Sequence, residues 1–459
     1  MAKVCKKLNE KNVDSNDIWK DDVLNRKVAA SDFTNIINGI EQPFVLSVNA
    51  SYGSGKSFFL ERWAEELKKD ENKYVTFFNS WKTDFEKDPL VPILSSILEQ
   101  LPKDKIENIK EKATRLFGSL KKCINLAVEY VGGPPELLDK VKGIINTDEV
   151  LDNYQQRLNL IKDFKDEIRN IISDKKLIII IDELERCRPT YAVEVLETIK
   201  HLFNIPNVIF ILGIDREQLK HTIASLYGSE MDKEGYLKRF IDLELTLPSP
   251  NKLDFCNLLI KELDISNKNK SDENNYTNGI NLLKDCFAGF ANGYNLSLRD
   301  MSQCFTDIKI IWQMIAENHF NLVPLLAWLV ILKHKNQKFF SNIQNITYEE
   351  ACKECLPHFK SGESDLTDLM KEVLILVYIN DLAEYQTYIN KKIREVDVAK
   401  VSTPSIDKKR ELNIHSSELE KESKLISSAK EFIPTFRQYN MDSTKTIEYL
   451  LKKMSYLSS

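Results

Sequence analysis

The stretch that most constrains this chain is FVLSVNASYGSGKS, at residues 44–57. Strand-forming residues from Phe44 to Val48 are followed by small and turn-forming residues, and Lys56 and Ser57 then open a segment of helical periodicity. This order predicts a strand, a glycine loop and a helix. The backbone N–H groups of such a loop wrap an oxyanion, and the helix N-terminus adds partial positive charge. The stretch therefore predicts a phosphate-binding loop.

The side chains of the loop suit a magnesium nucleotide. Lys56 would reach the outer phosphates, and the Ser57 hydroxyl would bind Mg²⁺. Ala50 stands where the usual pattern has its first glycine, and alanine is the mildest replacement. The alternative is an ordinary glycine turn before a helix. The candidate nucleotide-binding residues are Ala50, Ser51, Tyr52, Gly53, Ser54, Gly55, Lys56, Ser57 and Phe58.

A second stretch supplies carboxylates. Leu177 to Ile181 is an uninterrupted aliphatic run, as a parallel strand buried on both faces requires, and it ends in Asp182 and Glu183. In a magnesium nucleotide site, Asp182 would orient the hydrated metal and Glu183 would polarise an attacking water. The alternative is a strand followed by a solvated acidic turn, which the glycine loop upstream disfavours.

Three further segments are predicted to be strands, at residues 74–78, 208–214 and 241–247. The first leads into Asn79 and Trp81, and we expect Trp81 in the core rather than in the site. The second ends at Asp215, where a polar side chain would lie beside the outer phosphate. Arg239 precedes the third, and an arginine there can project toward the nucleotide of a neighbouring subunit.

The remaining chain is predicted to be mostly helical. Residues 100–175 carry two helical patterns separated by the Gly-Gly-Pro-Pro break at 132–135. Lysines line the polar face of the first predicted helix, so contact with a membrane surface is one alternative. Packing against the parent domain is the favoured one. From 251 onward the periodicity is helical throughout. Ser297 and Asp300 form a capping box before an apolar stripe.

Composition excludes several classes of protein. The 64 basic and 69 acidic residues leave a net charge of −5, so no global field favours nucleic acid. The N-terminus lacks the apolar core of a secretory signal, and no run reaches the roughly 18 apolar residues of a membrane span, so we expect a cytoplasmic protein. The most apolar run, Leu322 to Leu332, is predicted to be a buried helix.

The eight cysteines are scattered through the chain, which favours reduced thiols. Cys352, Cys355 and His358 have the spacing of half a zinc site. A second pair at matching spacing is absent from the sequence, so one face of a helix is the favoured interpretation.

Taken together, these motifs resemble those of the KAP family of P-loop NTPases, over roughly residues 20–312. The likeness rests on Asp22, Leu24 and Arg26 at the entry, the loop at Gly53 to Ser57, Asn79 with Trp81, the segment DELERCRP at 182–189, Asp215-Arg216, and Tyr236-Leu237 before Pro248. Many members carry transmembrane helices in the place of residues 100–175, and none is predicted here.

The resemblance implies an α/β fold, in which a parallel P-loop NTPase sheet with a helical insertion is followed by an all-α lid and a C-terminal helical domain. The expected parts are a polar tail at 1–20, the P-loop domain at 21–250 with its insertion at 100–175, a lid at 251–312, and a C-terminal domain at 313–459 with a loose charged connector at 394–423.

The family also implies roles for single residues. Lys56 and Ser57 look like the phosphate and magnesium ligands, and Asp182 like the residue that holds Mg²⁺ through water. Glu183 looks like the catalytic base and Asp215 like the sensor of the outer phosphate.

Three arginines complete the implied site. Arg299 resembles the lid arginine that contacts the outer phosphate, and Arg26 belongs to a segment expected near the base of the nucleotide. Arg239 resembles the arginine finger of related ring-forming ATPases, although the family usually has a lysine near that position. The family commonly has aspartates where this chain has Glu183 and Glu185.

The expected function is a switch that binds and slowly hydrolyses ATP with Mg²⁺. The expected partners are further copies of the chain and a protein encoded nearby. Prokaryotic relatives are linked to defence against bacteriophage, so that role is a hypothesis by analogy. The first alternative is an oligomerising scaffold that binds nucleotide without useful hydrolysis. The second is a small-molecule kinase, although the lid offers few of the arginines that such an enzyme needs.

Overall fold

The structure is a computed structural model that describes residues 17–20, 22–86, 88–102, 106–116, 147–266, 279–314, 323–359, 364–379, 381–402, 405–438 and 443–457. The chain divides into two compact units, one ending at Ser249 and the other beginning at Pro250. Buried apolar side chains form a core within each unit.

The amino-terminal unit is built on a parallel sheet of five strands in the order β2-β3-β4-β1-β5. Because parallel strands need crossover connections, helices cover both faces of such a sheet. Its elements are α1 (Arg26–Asn38), β1 (Phe44–Asn49), α2 (Lys56–Leu67), β2 (Lys73–Asn79), α3 (Leu90–Leu98), α4 (106–116), α5 (Thr147–Ile172), β3 (Lys176–Asp182), α6 (Pro189–Leu202), β4 (Val208–Ile214), α7 (Arg216–Tyr227), α8 (Lys233–Leu237) and β5 (Leu243–Thr246).

The two faces of β3 show why an aliphatic run makes a central strand. Leu177, Ile179 and Ile181 pack into the core beneath α3, α5, α6 and α7, whereas Ile178 and Ile180 pack into the core beneath α1 and α2. Alternate residues of a strand point to opposite faces, so a strand covered on both sides must be apolar at every position.

The sheet order also fixes where the loop and the acidic pair lie. β1 is flanked by β4 and β5, so the loop that follows it lies inside the sheet edge rather than at its margin. β4 separates β1 from β3. All strands are parallel, so the carboxyl ends of β1, β2, β3 and β4 meet at one edge, where open α/β sheets bind ligands.

Within the predicted insertion, the two described helices pack against the parent domain. Ile109 and Leu116 of α4 lie in the same buried core as Phe164 and Ile168 of α5. The Gly-Gly-Pro-Pro break lies outside the described residues. Ile18 and Trp19, which we expected in the polar tail, are instead ordered: Ile18 is buried and the Trp19 indole donates to Glu66.

The carboxy-terminal unit is helical in the part that the structure describes. Its helices are α9 (Lys252–Glu262), α10 (Gly279–Gly293), α11 (Leu298–Met314), α12 (Val323–Lys335), α13 (Gln337–Ser341), α14 (Tyr348–Cys355), α15 (Ser364–Tyr378), α16 (Leu382–Ser402), α17 (Ile406–Gln438) and α18 (Ser443–Met454). The predicted apolar run is the core helix α12, which is buried from Val323 to Leu332.

The predicted capping box before α11 is confirmed. The amide of Ser297 donates to Asp300 Oδ2 at 2.9 Å, and the amide of Asp300 donates to Ser297 Oγ at 3.1 Å. The stripe that follows, from Leu298 through Phe305 to Trp312, is buried. Local sequence signals therefore set both the start and the buried face of this helix.

The prediction of a loose connector at 394–423 is wrong. These residues lie mostly in α16 and α17, which pair with each other. Tyr385 donates to Glu422 at 2.7 Å and Gln386 donates to Ser423 at 2.6 Å across the pair. Two helices that pack mainly on each other need only a narrow apolar seam, so their composition resembles that of a linker.

Among the described residues, no helix combines the length and the apolar character needed to cross a bilayer.

Candidate functional site

The loop between β1 and α2 has the backbone that its glycines predict. Gly53 and Gly55 have φ angles of 77° and 88°, in the left-handed region that favours glycine. α2 begins at Lys56, and the first amides of a helix have no acceptor in a preceding turn. Such amides and the helix dipole bind anions together. The loop therefore offers an anion site.

Two side chains form hydrogen bonds with the backbone of this loop. Asp215 Oδ2 accepts a hydrogen bond from the Tyr52 amide at 2.9 Å, and Asp215 Oδ1 caps α7 through the Gln218 amide. The Arg26 guanidinium donates to the carbonyl of Ser54 at 3.2 Å and also to the carbonyl of Pro248. Arg26 is 1% exposed, and burial lowers its pKa. The guanidinium thus contacts the backbone of the loop itself.

Asp182, at the end of β3, is a deeply buried carboxylate, and the donors near it include the Ser57 hydroxyl and the Glu183 amide. It is fully buried, and neither of its oxygens accepts a hydrogen bond of ordinary geometry from any described residue. Burial raises its pKa to about 6, while the Ser57 hydroxyl and the Lys56 ammonium act in the opposite direction. Gly213 of β4 makes room for it, since a Cβ there would lie 2.9 Å from Asp182 Oδ1.

Lys56 and Glu185 form a buried ion pair. Lys56 Nζ lies 2.7 Å from Glu185 Oε1, and the two side chains are 8% and 6% exposed. The other oxygen of Glu185, Oε2, is buried with no hydrogen-bond partner among the described residues. One ammonium therefore faces two buried carboxylates, Glu185 and Asp182, and three of their four oxygens lack hydrogen-bond partners within the described chain.

Glu183 has a strained backbone and a side chain held on both sides. Its φ and ψ are 61° and 30°, a left-handed conformation that is uncommon outside glycine and clusters at functional sites. Asn79 Nδ2 donates to Glu183 Oε2 at 3.0 Å. Arg186 Nη1 lies 2.9 Å from Glu183 Oε1. Both oxygens of the candidate base are therefore engaged.

The donor set fits Mg²⁺. This ion keeps several waters and is usually held by one or two protein oxygens together with substrate phosphates. Asp182 offers two buried oxygens without partners in the described chain, and the Ser57 hydroxyl lies close enough to hold down the pKa of Asp182. Among the described residues, no three of the types His, Cys, Asp and Glu form a metal cluster, so a site closed entirely by protein is not indicated there.

The remaining predicted residues lie in different places. Phe58 is half-buried, with the guanidinium of Arg62 over its ring at 3.4 Å. Arg239 is exposed and comes before β5, whose first residues pair with the middle of β1. It therefore lies toward the sheet edge opposite the loop, out of reach of the loop in its own chain. Arg299 is exposed in the first turn of α11, in the carboxy-terminal unit.

Our expectation that Trp81 lies in the core is wrong, because its side chain is 53% exposed. The Arg186 guanidinium lies over its ring at 5.4 Å and over the ring of Tyr52 at 4.8 Å. Glu185 and Arg186 were not among the predicted site residues. A short 3₁₀ turn at Leu184–Arg186 brings them back toward the loop, and the charged residues directly after the acidic pair were the available signal.

The half-zinc pattern lies in the carboxy-terminal unit. Cys352 and Cys355 are on α14, and the ring of His358 stacks on that of Tyr294 at 3.5 Å. Burial raises the pKa of Cys352 to about 11, which keeps its thiol protonated at neutral pH.

These features define the class of the protein. A parallel sheet with a glycine loop after an inner strand, and an Asp-Glu pair at the end of a strand separated from it by one other strand, is the architecture of a P-loop NTPase. More particularly, the chain belongs to the KAP family, because the family's sequence profile, described as "KAP family P-loop domain", matches residues 26–315.

A relative in Escherichia coli (strain K12), the "Phage T7 exclusion protein", is 22% identical over 239 residues. The alignment covers 48% of this chain and 32% of that protein. The chain thus matches about a third of the length of its curated relative.

Solved structures show more distant likenesses. The Aeropyrum pernix ORC2 protein, in its ADPNP-ADP complexes, is similar at a TM-score of 0.34 and 14% identity, covering 88% of this chain and 94% of that one. PCH-2 of C. elegans is similar at a TM-score of 0.28 and 13% identity, covering 70% of this chain and 69% of that one.

Proposed function

We propose that the chain binds Mg-ATP in the loop at 50–57 and hydrolyses it slowly, as a conformational or assembly switch. The observation that carries the proposal is the contact between the start of α2 and the residues at the end of β3. Lys56 is paired with Glu185, three residues beyond Asp182, and both Lys56 and Ser57 act on the pKa of Asp182. A buried ammonium, a hydroxyl and a carboxylate without partners in the described chain suit a magnesium triphosphate.

Each residue has a role in this proposal. The loop amides and Lys56 would hold the outer phosphates, and Ser57 and Asp182 would hold Mg²⁺. When bound, Mg²⁺ would neutralise charge on the phosphates. Glu183 accepts the proton of the attacking water. Asp215 keeps the loop in its binding conformation through the Tyr52 amide.

Two arginines are assigned to the outer phosphate. Arg299, in the first turn of α11, is the proposed sensor of that phosphate. Arg239 reaches the nucleotide of a neighbouring copy, and its exposure supports this role.

Two substitutions test the proposal. Glu183→Gln keeps nucleotide binding in a calorimetric titration and lowers phosphate release by about 100-fold or more, because the amide cannot accept the proton. Lys56→Ala loses both, because the phosphates lose their buried cation. A Glu183→Gln protein that hydrolyses like wild type would contradict the assignment of the base.

A role in defence against bacteriophage is supported by the name of the E. coli relative, the phage T7 exclusion protein. Cells that express the chain should lower the plating efficiency of a sensitive phage, and cells that express Lys56→Ala at the same level should not. Equal plating on the two strains across a panel of phages would remove this part of the proposal.

The second candidate function is a scaffold that oligomerises on nucleotide without useful turnover. It is favoured by one observation, that Lys56 and both oxygens of Glu183 are engaged within the chain itself. Measuring particle size with ATP and with ADP, alongside phosphate release, separates it from the switch. A scaffold changes size with nucleotide while releasing no phosphate above the Glu183→Gln background.

A further inference from the structure

Arg186 contacts Glu183 and the partly exposed residues Tyr52 and Trp81. Its Nη1 lies 2.9 Å from Glu183 Oε1, and the two side chains are 28% and 15% exposed. The same guanidinium lies over the rings of Tyr52, at 4.8 Å, and Trp81, at 5.4 Å. Tyr52 and Trp81 are about half exposed, at 47% and 53%. One charged group thus connects the candidate base, the tip of the loop and the protein surface.

This arrangement does not leave Glu183 ready to act. Asn79 holds one carboxylate oxygen and Arg186 holds the other, so both oxygens already accept from donors within the chain. A general base must instead be within hydrogen-bond reach of the water whose proton it takes. The left-handed backbone at Glu183 is kept in place by the surrounding contacts, as strained residues at functional sites are.

The position of Arg186 gives a route for its release. Tyr52 belongs to the phosphate loop, so a rearrangement of the loop on binding would displace the ring that the Arg186 guanidinium contacts. A bound triphosphate is also a stronger attractor for a guanidinium than one carboxylate, because it carries more negative charge and several acceptor oxygens.

We propose that Arg186 is a positioning residue that holds Glu183 in a resting arrangement, and that hydrolysis requires its guanidinium to leave Glu183. The inference rests on the proposed function, since it takes Glu183 as the base. The rate at which bound ATP is hydrolysed then depends in part on the contacts of the Arg186 guanidinium with the exposed residues Tyr52 and Trp81.

The kinetic test compares wild type with three variants. Arg186→Ala raises kcat for ATP hydrolysis by up to about fivefold, which corresponds to the loss of a partly exposed ion pair, and leaves KM within about twofold. Arg186→Lys stays close to wild type, because the ammonium keeps the ion pair. Arg188→Ala is the matched control, since this neighbouring arginine pairs with Asp84 instead of Glu183.

A spectroscopic test reads the same contact without turnover. Mg²⁺ with a non-hydrolysable ATP analogue, added to the wild-type protein, changes the emission of Trp81, and the change is lost when Trp81 is replaced by Phe. In the Arg186→Ala protein the same addition changes Trp81 emission less, because the stacked guanidinium is already absent.

The outcomes separate the two proposals. A wild type that releases phosphate no faster than Glu183→Gln refutes the proposed hydrolysis. Turnover that depends on Glu183 but is unchanged or lowered in a folded Arg186→Ala protein refutes only the resting role of Arg186. Wild-type Trp81 emission that does not respond to Mg²⁺ and the non-hydrolysable analogue refutes the release of the guanidinium, whether or not the variants fold.

Discussion

At the scale of single residues, the buried charges of the site do not balance. Lys56 is paired within a buried group that also contains Asp182 and Glu185, and it is the cation that acts on both among the residues that the structure describes. Two buried carboxylates beside one ammonium are costly unless further cations or donors arrive. A magnesium nucleotide brings a cation for the carboxylates and phosphates for Lys56, so ligand binding removes the imbalance.

Glu185 should act as an internal competitor for the lysine. Glu185→Gln removes the negative charge that holds Lys56 while keeping a side chain of the same size. We expect the Kd for Mg-ATP, measured by calorimetry in the Glu183→Gln background, to fall by up to about tenfold, since about 1.4 kcal/mol of competition is lost. Glu65→Gln, which removes the partner of the exposed Lys68, should leave Kd unchanged. Weaker binding in Glu185→Gln would mean that this carboxylate helps to hold the metal.

Asp182 should make the nucleotide-free protein less stable as pH rises. Its folded pKa is about 6 against an ordinary 3.8, so between these values the native state holds a proton that the unfolded state has released. Stability therefore falls through this window, and the penalty is complete above pH 6. In EDTA, Asp182→Asn should stabilise the protein, by about 1 to 2 kcal/mol more at pH 8 than at pH 5, in urea unfolding. An equal gain at both pH values would contradict the buried charge.

Much of the residue-level chemistry could be predicted from sequence, but the pairing could not. The loop spacing indicated Lys56 and Ser57, and the strand end indicated Asp182 and Glu183, because both signals are local. The partners of Lys56 and Glu183 depend on a single 3₁₀ turn after β3, which brings Glu185 and Arg186 round to the loop. No periodicity marks such a turn.

At the scale of elements, prediction succeeded where burial dictates the composition. β3 and β4 are buried at nearly every position, so their aliphatic runs marked both strands in the sequence. The stretch 394–423, which lies mostly within α16 and α17, was missed for the opposite reason. Its buried residues, among them Val396, Ser416 and Leu419, form only a sparse seam.

The capping box of α11 provides a test at this scale. Ser297→Ala removes the oxygen that accepts from the Asp300 amide, so the carboxy-terminal unit should lose about 1 kcal/mol of unfolding free energy. Ser302→Ala is the matched control, because its hydroxyl bonds back to Leu298 within the same helix. Urea unfolding of the full chain, followed by Trp312 and Trp328 emission, measures both. A loss in Ser302→Ala as large as in Ser297→Ala would contradict a specific cap.

At the scale of the whole molecule, the placement of Arg239 bears on assembly. Because β5 is parallel to β1, a residue before β5 lies toward the edge away from the loop. An arginine there cannot complete its own site. Its proposed role therefore requires a second copy, and a single chain would be an incomplete enzyme.

Mixing two inactive variants tests this dependence. Arg239→Ala keeps its loop but lacks the arginine, while Lys56→Ala keeps the arginine but cannot hold nucleotide. If the arginine acts between copies, the mixture should release more phosphate than the sum of the two variants alone. Lys238→Ala, at the exposed neighbouring position, should behave like wild type. Simple additivity in the mixture, with normal particle size, would contradict an arginine shared between copies.

The tie between Tyr52 and Asp215 also has a mechanical consequence. The Asp215 carboxylate that accepts from the Tyr52 amide also caps α7. This helix has 12 residues and is about 18 Å long. Its C-terminal end carries the exposed Leu226 and Tyr227. A displacement of the loop that keeps this hydrogen bond would therefore also move the N-terminus of α7, so loop and helix are coupled through one carboxylate.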